Sequence, residues 1–85
     1  MIIQIEPHTL QRANERGASE DEIKETIETG TNISGRSGRL GKSKIFPFNN
    51  EKNNRYYEEK KLEVFYVIED KVIITITVYV FYGKF

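Results

Sequence analysis

The sequence has 85 residues, with no cysteine, no tryptophan, one histidine, one methionine and two prolines. Without cysteine there is no disulfide staple, no cysteine-ligated zinc or iron–sulfur cluster, and no thiol nucleophile, which fits a reducing compartment. A solitary histidine with no carboxylate cluster beside it leaves no ligand set for a metal, and no cofactor is expected. Long apolar runs are also lacking. Met1-Ile2-Ile3 stops at Gln4, too short for the core of a signal peptide. Val72 to Tyr82 falls far short of the roughly 20 residues that span a bilayer, and Thr75 and Thr77 interrupt it. The expectation is a soluble cytoplasmic protein with no membrane association.

Charge of one sign is absent overall: 13 Lys and Arg balance 13 Asp and Glu. The balance is uneven along the chain, at −4 for residues 1–34, +5 for residues 35–61 and −1 for residues 62–85. The middle segment can form a basic patch, while no long-range field draws in a polyanion. At this length the chain is one domain, residues 1–85, and buries only about 60–65% of its unfolded surface. Its apolar residues concentrate between Leu62 and Tyr82, so the core is sought there.

Two helices are predicted first. One begins at Pro7, since proline suits a first helical turn, and ends at Gly17, a left-handed cap. Leu10 and Ala13 are its apolar positions. The other opens on Ser19-Glu20-Asp21-Glu22, a capping box with Ala18 and Ile23 placed as a hydrophobic staple. It carries Ile23 and Ile27 on one face and stops at Gly30. The two are expected to form a helical hairpin.

Strands follow. A short one is read at Asn32 to Ser34 and another at Lys44 to Phe48, which Pro47 confines to an edge or bulge. Asn49 to Asn54 reads as an exposed loop. Residues 62–69 and 72–82 form a hairpin with Asp70-Lys71 as its turn. With a two-residue loop, Glu69 pairs with Val72 and Phe65 with Ile76. Phe65, Val67, Ile74, Ile76, Val78 and Val80 then form the face that receives the helices. Leu62, Val64, Tyr66, Thr75, Thr77 and Tyr79 form an open working surface. The fold class is α+β, with two N-terminal helices on a small antiparallel sheet.

His8-Thr-Leu-Gln-Arg12, Glu15-Arg16-Gly17-Ala-Ser19 and Glu22-Ile23…Ile27…Gly30 resemble the opening of a family of small uncharacterised prokaryotic domains. A Gly-Arg loop, Lys60 before Leu62-Glu-Val, an Ile/Thr/Val strand and a terminal Gly-Lys-Phe extend the likeness over most of the chain. That family is similar to the BrnT toxins and, more distantly, to RelE-type toxins. The resemblance implies helices on an antiparallel sheet, messenger RNA cleavage or ribosome association, and an antitoxin partner.

Metal-free RNA cleavage by the 2′-hydroxyl needs a proton acceptor, a neutralised phosphate and a proton donor for the leaving oxygen. His8 is the one side chain titrating naturally near neutrality. Arg12 and Arg16 follow at four-residue steps along one helical stripe, and arginine clamps phosphate in bidentate fashion. His8 is therefore the candidate proton-transfer group, with Arg12 and Arg16 as phosphate ligands. The same stripe also reads as a solvated face in which Glu15 pairs with an arginine and Arg16 serves the helix C-terminus. Arg36, Arg39 and Lys42, set among glycines, are candidate RNA contacts. The Gly41-Lys42-Ser43 triplet is not a P-loop, because the glycine five residues upstream is missing. Lys60, Tyr66 and Tyr79 complete the candidate RNA-binding set, as cations and stacking rings.

Three readings follow: a toxin-like metal-independent endoribonuclease, a non-catalytic RNA- or protein-binding module of the same fold, and a protein-interaction domain acting through an exposed sheet edge.

Overall fold

The computed structural model describes residues 1–85. Helix α1 spans Pro7–Arg16 with proline in its first turn, and Gly17 ends it in the left-handed region at φ 91°. Helix α2 spans Glu20–Thr29. The Ser19 hydroxyl accepts from the Glu22 backbone N–H at 3.1 Å, and the Glu22 carboxylate accepts from the Ser19 N–H at 2.9 Å. This is the expected capping box, and it meets two of the donors a helix start leaves unpaired.

Five strands form one sheet. They are β1 (Ile2–Gln4), β2 (Thr31–Ser34), β3 (Leu40–Lys52), β4 (Arg55–Glu69) and β5 (Val72–Gly83), arranged β1-β5-β4-β3-β2. The class is α+β as expected. The sheet is mixed, however, because β1 runs parallel to β5, with Ile3 opposite Ile73. All other neighbours are antiparallel. No helix is long and apolar enough to cross a membrane.

The Asp70-Lys71 turn joins β4 to β5 with φ of 50° and 65°, the geometry whose twist suits a two-residue hairpin. Asn53-Asn54 does the same between β3 and β4. The expected loop at 49–54 is therefore mostly strand, closed by this tight turn. Asn side chains tolerate positive φ, so an apolar-free stretch can still form a hairpin tip. Pro47 sits beside the irregularity between Pro47 and Asn50, where a missing N–H does least harm.

Both helices lie on one face of the sheet, α1 over β5 and α2 over β3 and β4, with the sheet rather than each other as their main partner. The core is Ala13, Ala18, Ile23, Ile27, Phe46, Leu62, Val64, Tyr66, Ile73 and Val78. This corrects the predicted faces. Leu62, Val64, Tyr66 and Thr75 are buried beneath the helices, whereas Phe65, Val67 and Ile74 point to the other side. On β4 both faces are apolar, so the pattern does not say which is wet; on β5 a bulge intervenes, since Phe65 pairs with Thr77 and Tyr66 with Thr75, leaving Ile76 unpaired. An extra residue switches the side-chain parity of one strand, so β5 presents Ile73 and Thr75 to the helices before the bulge, and Val78 and Val80 after it.

Lys60 on β4 fastens the turn between the helices. It is only 8% exposed. Its ammonium donates to the Gly17 carbonyl at 2.8 Å and to Glu22 Oε1 at 2.9 Å, so one cation serves the end of α1 and the start of α2. The Arg16 carbonyl accepts from the Tyr82 hydroxyl at 2.5 Å and from Lys52 Nζ at 3.5 Å. Helix α1 depends on these contacts because its buried stripe is narrow: Thr9 and Ala13 are buried, and the Thr9 hydroxyl has no partner.

Burial pushes the Glu22 carboxyl up, but the hydrogen bonds from Lys60 and Ser19 and the Lys60 charge outweigh it, leaving the pKa below its ordinary 4.5. The unfolded chain therefore takes up the proton first as pH falls. The pair's contribution is complete above that ordinary value and is lost as pH drops through the lowered one. In denaturant titrations, Lys60→Met should cost about 3 kcal/mol at neutral pH by stranding a partly buried carboxylate and a carbonyl. Its loss of stability below pH 4.5 should be shallower than that of the unchanged chain.

Candidate functional site

The sheet face away from the helices has no covering element. Its centre is three rows deep across β3, β4 and β5. Gly41, Phe65 and Thr77 form one row, Ser43, Glu63 and Tyr79 the next, and Ile45, Lys61 and Phe81 the last. Glycine is needed at 41 because a Cβ there would lie 2.9 Å from the Phe65 ring and 2.8 Å from Ile33. The ring instead lies against bare backbone. Phe65 and Tyr79 meet edge to face with centroids 6.1 Å apart, a favourable aromatic geometry. Tyr79 is 43% exposed and Phe81 44%. These two rings stand two residues apart on β5, with the less exposed Phe65 beside them on β4, so the face carries an apolar cluster open to solvent.

The β2–β3 connection brings two cations to this face. The Arg39 N–H donates to the Arg36 carbonyl at 3.0 Å, closing a turn through Ser37 and Gly38, both at positive φ. Arg36 and Arg39, with Ser34, Glu63, Phe65, Thr77, Tyr79 and Phe81, line a shallow concavity of about 460 Å³. Lys61 lies beside it, 5.4 Å from the Phe81 ring centroid and 4.9 Å from that of Phe85, close enough for cation–π attraction.

The structure separates the residues singled out from sequence. Arg36, Arg39 and Tyr79 come together at the concavity. Lys42, Lys60 and Tyr66 belong to the helix side, since their cross-strand partners Val64, Phe46 and Leu40 point that way or end it. Tyr66 is only 5% exposed, and burial pushes its phenol pKa up, so its ring is core and not a stacking surface. Lys60 is committed to Gly17 and Glu22. The Tyr66 assignment followed from the reversed face and the Lys60 assignment from its place in a basic stretch, and both are corrected.

The proposed catalytic stripe is also divided. His8 is exposed and makes no side-chain hydrogen bond or ion pair. Arg12 pairs with Glu15 at 3.2 Å, the ordinary surface contact that the stripe also allowed. Arg16 turns to the sheet, where its guanidinium donates to the Val78 carbonyl at 2.6 Å and lies 5.2 Å from the Tyr79 ring centroid. It covers the edge of β5 beyond Ile74, where β1 has ended. Eight residues of helix separate His8 from Arg16, about 12 Å along the axis, so only Arg16 reaches the rim of the concavity. No group of three His, Asp or Glu side chains converges as a metal site.

Phe65, Phe81, Glu63 and Lys61 were not marked as site residues by sequence. Their period-two spacing was visible, but the parity that joins them to Tyr79 depends on the bulge. The chain matches no protein-family model, no curated protein sequence and no solved structure.

The two faces should respond differently to substitution. Phe81→Thr, which keeps a strand-forming residue, should change stability by less than about 1 kcal/mol. Leu62→Ala should cost about 2–5 kcal/mol. Paired thermal and urea melts would check this, and equal losses at the two positions would contradict the assignment of faces.

Proposed function

We propose that the protein is a binding module for single-stranded RNA, with the open face of the sheet as its platform. The observation that carries this is the convergence of three aromatic rings, Phe65, Tyr79 and Phe81, with Arg36 and Arg39 around one concavity. Unpaired bases stack on exposed rings, each stack contributing about 1–3 kcal/mol. Arginines neutralise the phosphates and release counterions. Arg16, resting on Tyr79, adds a third guanidinium at the rim. Zero net charge means that affinity comes from this local array and not from a long-range field.

Fluorescence anisotropy with a labelled single-stranded oligonucleotide tests the reading. Binding should exceed that of the matching duplex and weaken as salt rises. Tyr79→Ala should weaken it by about 1–3 kcal/mol. Replacing Arg36 and Arg39 together should lower the salt slope by about 1–2. Equal affinity for duplex, or a slope untouched by the arginines, would contradict it. Binding to a protein partner alone would favour the protein-binding alternative.

The endoribonuclease reading is retained as a second proposal. It is supported by the His8–Arg12–Glu15-Arg16-Gly17 resemblance to the toxin-related family, and by an exposed imidazole with no hydrogen-bond partner. An antitoxin partner belongs to the same proposal. Cleavage of a defined RNA by the unchanged chain, abolished in His8→Ala, is its expected outcome. No cleavage, or equal cleavage by both, removes His8 from the mechanism.

A further inference from the structure

At the centre of the open face stands an acid. Glu63 lies directly between Ser43 and Tyr79 across the strands, with Phe65 and Lys61 as its neighbours along β4. Its carboxylate lines the concavity beside the rings and the arginines. It makes no side-chain hydrogen bond closer than the Lys61 contact at 3.8 Å, beyond ordinary hydrogen-bond reach. The two side chains are 30% and 25% exposed, and at that separation the lysine leaves the carboxylate oxygens without a hydrogen-bond donor. A surface serving only phosphate would be weakened by a central negative charge, so the acid calls for a ligand group that donates hydrogen bonds.

We infer that Glu63 makes the site selective for guanine. This rests on the RNA-binding reading above. A carboxylate offers two acceptor oxygens side by side and no donor. Among the four RNA bases, only guanine presents two adjacent donors, N1–H and the N2 amino group, on its Watson–Crick edge. Both can be met by one carboxylate while the ring stacks on Tyr79 or Phe81. Adenine and cytosine each place an acceptor beside their amino group, and uracil flanks its single N–H with two carbonyls, so each sets at least one lone pair against the carboxylate. Single-stranded RNA is read in this way, by stacking combined with hydrogen bonds to the base edge.

The test uses the full chain and a short oligouridylate carrying one central guanosine, inosine, adenosine or cytidine, with Kd from anisotropy. Guanosine should bind about tenfold or more tighter than the other standard bases, the discrimination typical of a bidentate base contact. Inosine, which lacks the N2 amino group, should fall between guanosine and uridine. Glu63→Gln should collapse the guanosine preference and tighten binding of plain oligouridylate, because a charge repelling phosphate has been removed. Should that variant melt early, the inosine comparison on the unchanged chain still decides. Binding indifferent to the central base, or a Glu63→Gln change equal for every oligonucleotide, overturns the guanine assignment and leaves the RNA platform standing. No binding to any of them overturns both.

Discussion

Two ten-residue helices can cover one face of a five-stranded sheet and no more. In a chain this short, which face they cover determines what the other can do. The choice is made by contacts on β4 and β5. Leu62, Val64 and Tyr66 meet Ile23 and Ile27 in one core, and Lys60 holds the helix–helix turn over that side through Gly17 and Glu22. The bulge at Ile76 lets β5 follow, by bringing Val78 and Val80 to the same side as Ile73. Phe65, Tyr79 and Phe81 are then left facing outward, together with Glu63 and Lys61.

Local chemistry made much of the fold legible. The capping box at Ser19 and Glu22, the left-handed cap at Gly17 and the Asp70-Lys71 hairpin are each specified by residues within a few positions of one another. What stayed hidden depends on distant partners. Lys60 looks like one more cation in a basic stretch until Glu22, 38 residues away, is placed beside it. Strand β1 is three residues long, and only its parallel pairing to β5 defines it. The face assignment held for Thr77 to Val80 but was reversed on β4 and the start of β5 for a different reason: β4 alternates apolar with apolar, as in Val64-Phe65-Tyr66-Val67. Period-two spacing without a polar face does not say which side is wet. The bulge, which has no local signature, then moved the register by one.

The candidate site shows the same division. Arg36 and Arg39 were recognisable because a glycine-punctuated turn exposes its cations, and Tyr79 because period-two spacing puts it on one face with Thr75 and Thr77. Their convergence with Phe65 and Phe81 follows from the register. Arg16 illustrates how a side chain suited to phosphate also serves structure: the same guanidinium satisfies an edge carbonyl and lies over Tyr79, joining α1 to the open face. His8 and Arg12 remain on the outer side of α1, on a different surface from the concavity.

The most direct test of the proposed RNA platform is backbone and aromatic NMR on the labelled chain, titrated with single-stranded RNA. The account predicts that the largest shift changes fall on Glu63, Phe65, Tyr79, Phe81 and the Arg36–Arg39 turn, with α1 and α2 nearly unmoved. Changes centred on His8 and Arg12, with the open face silent, would contradict it.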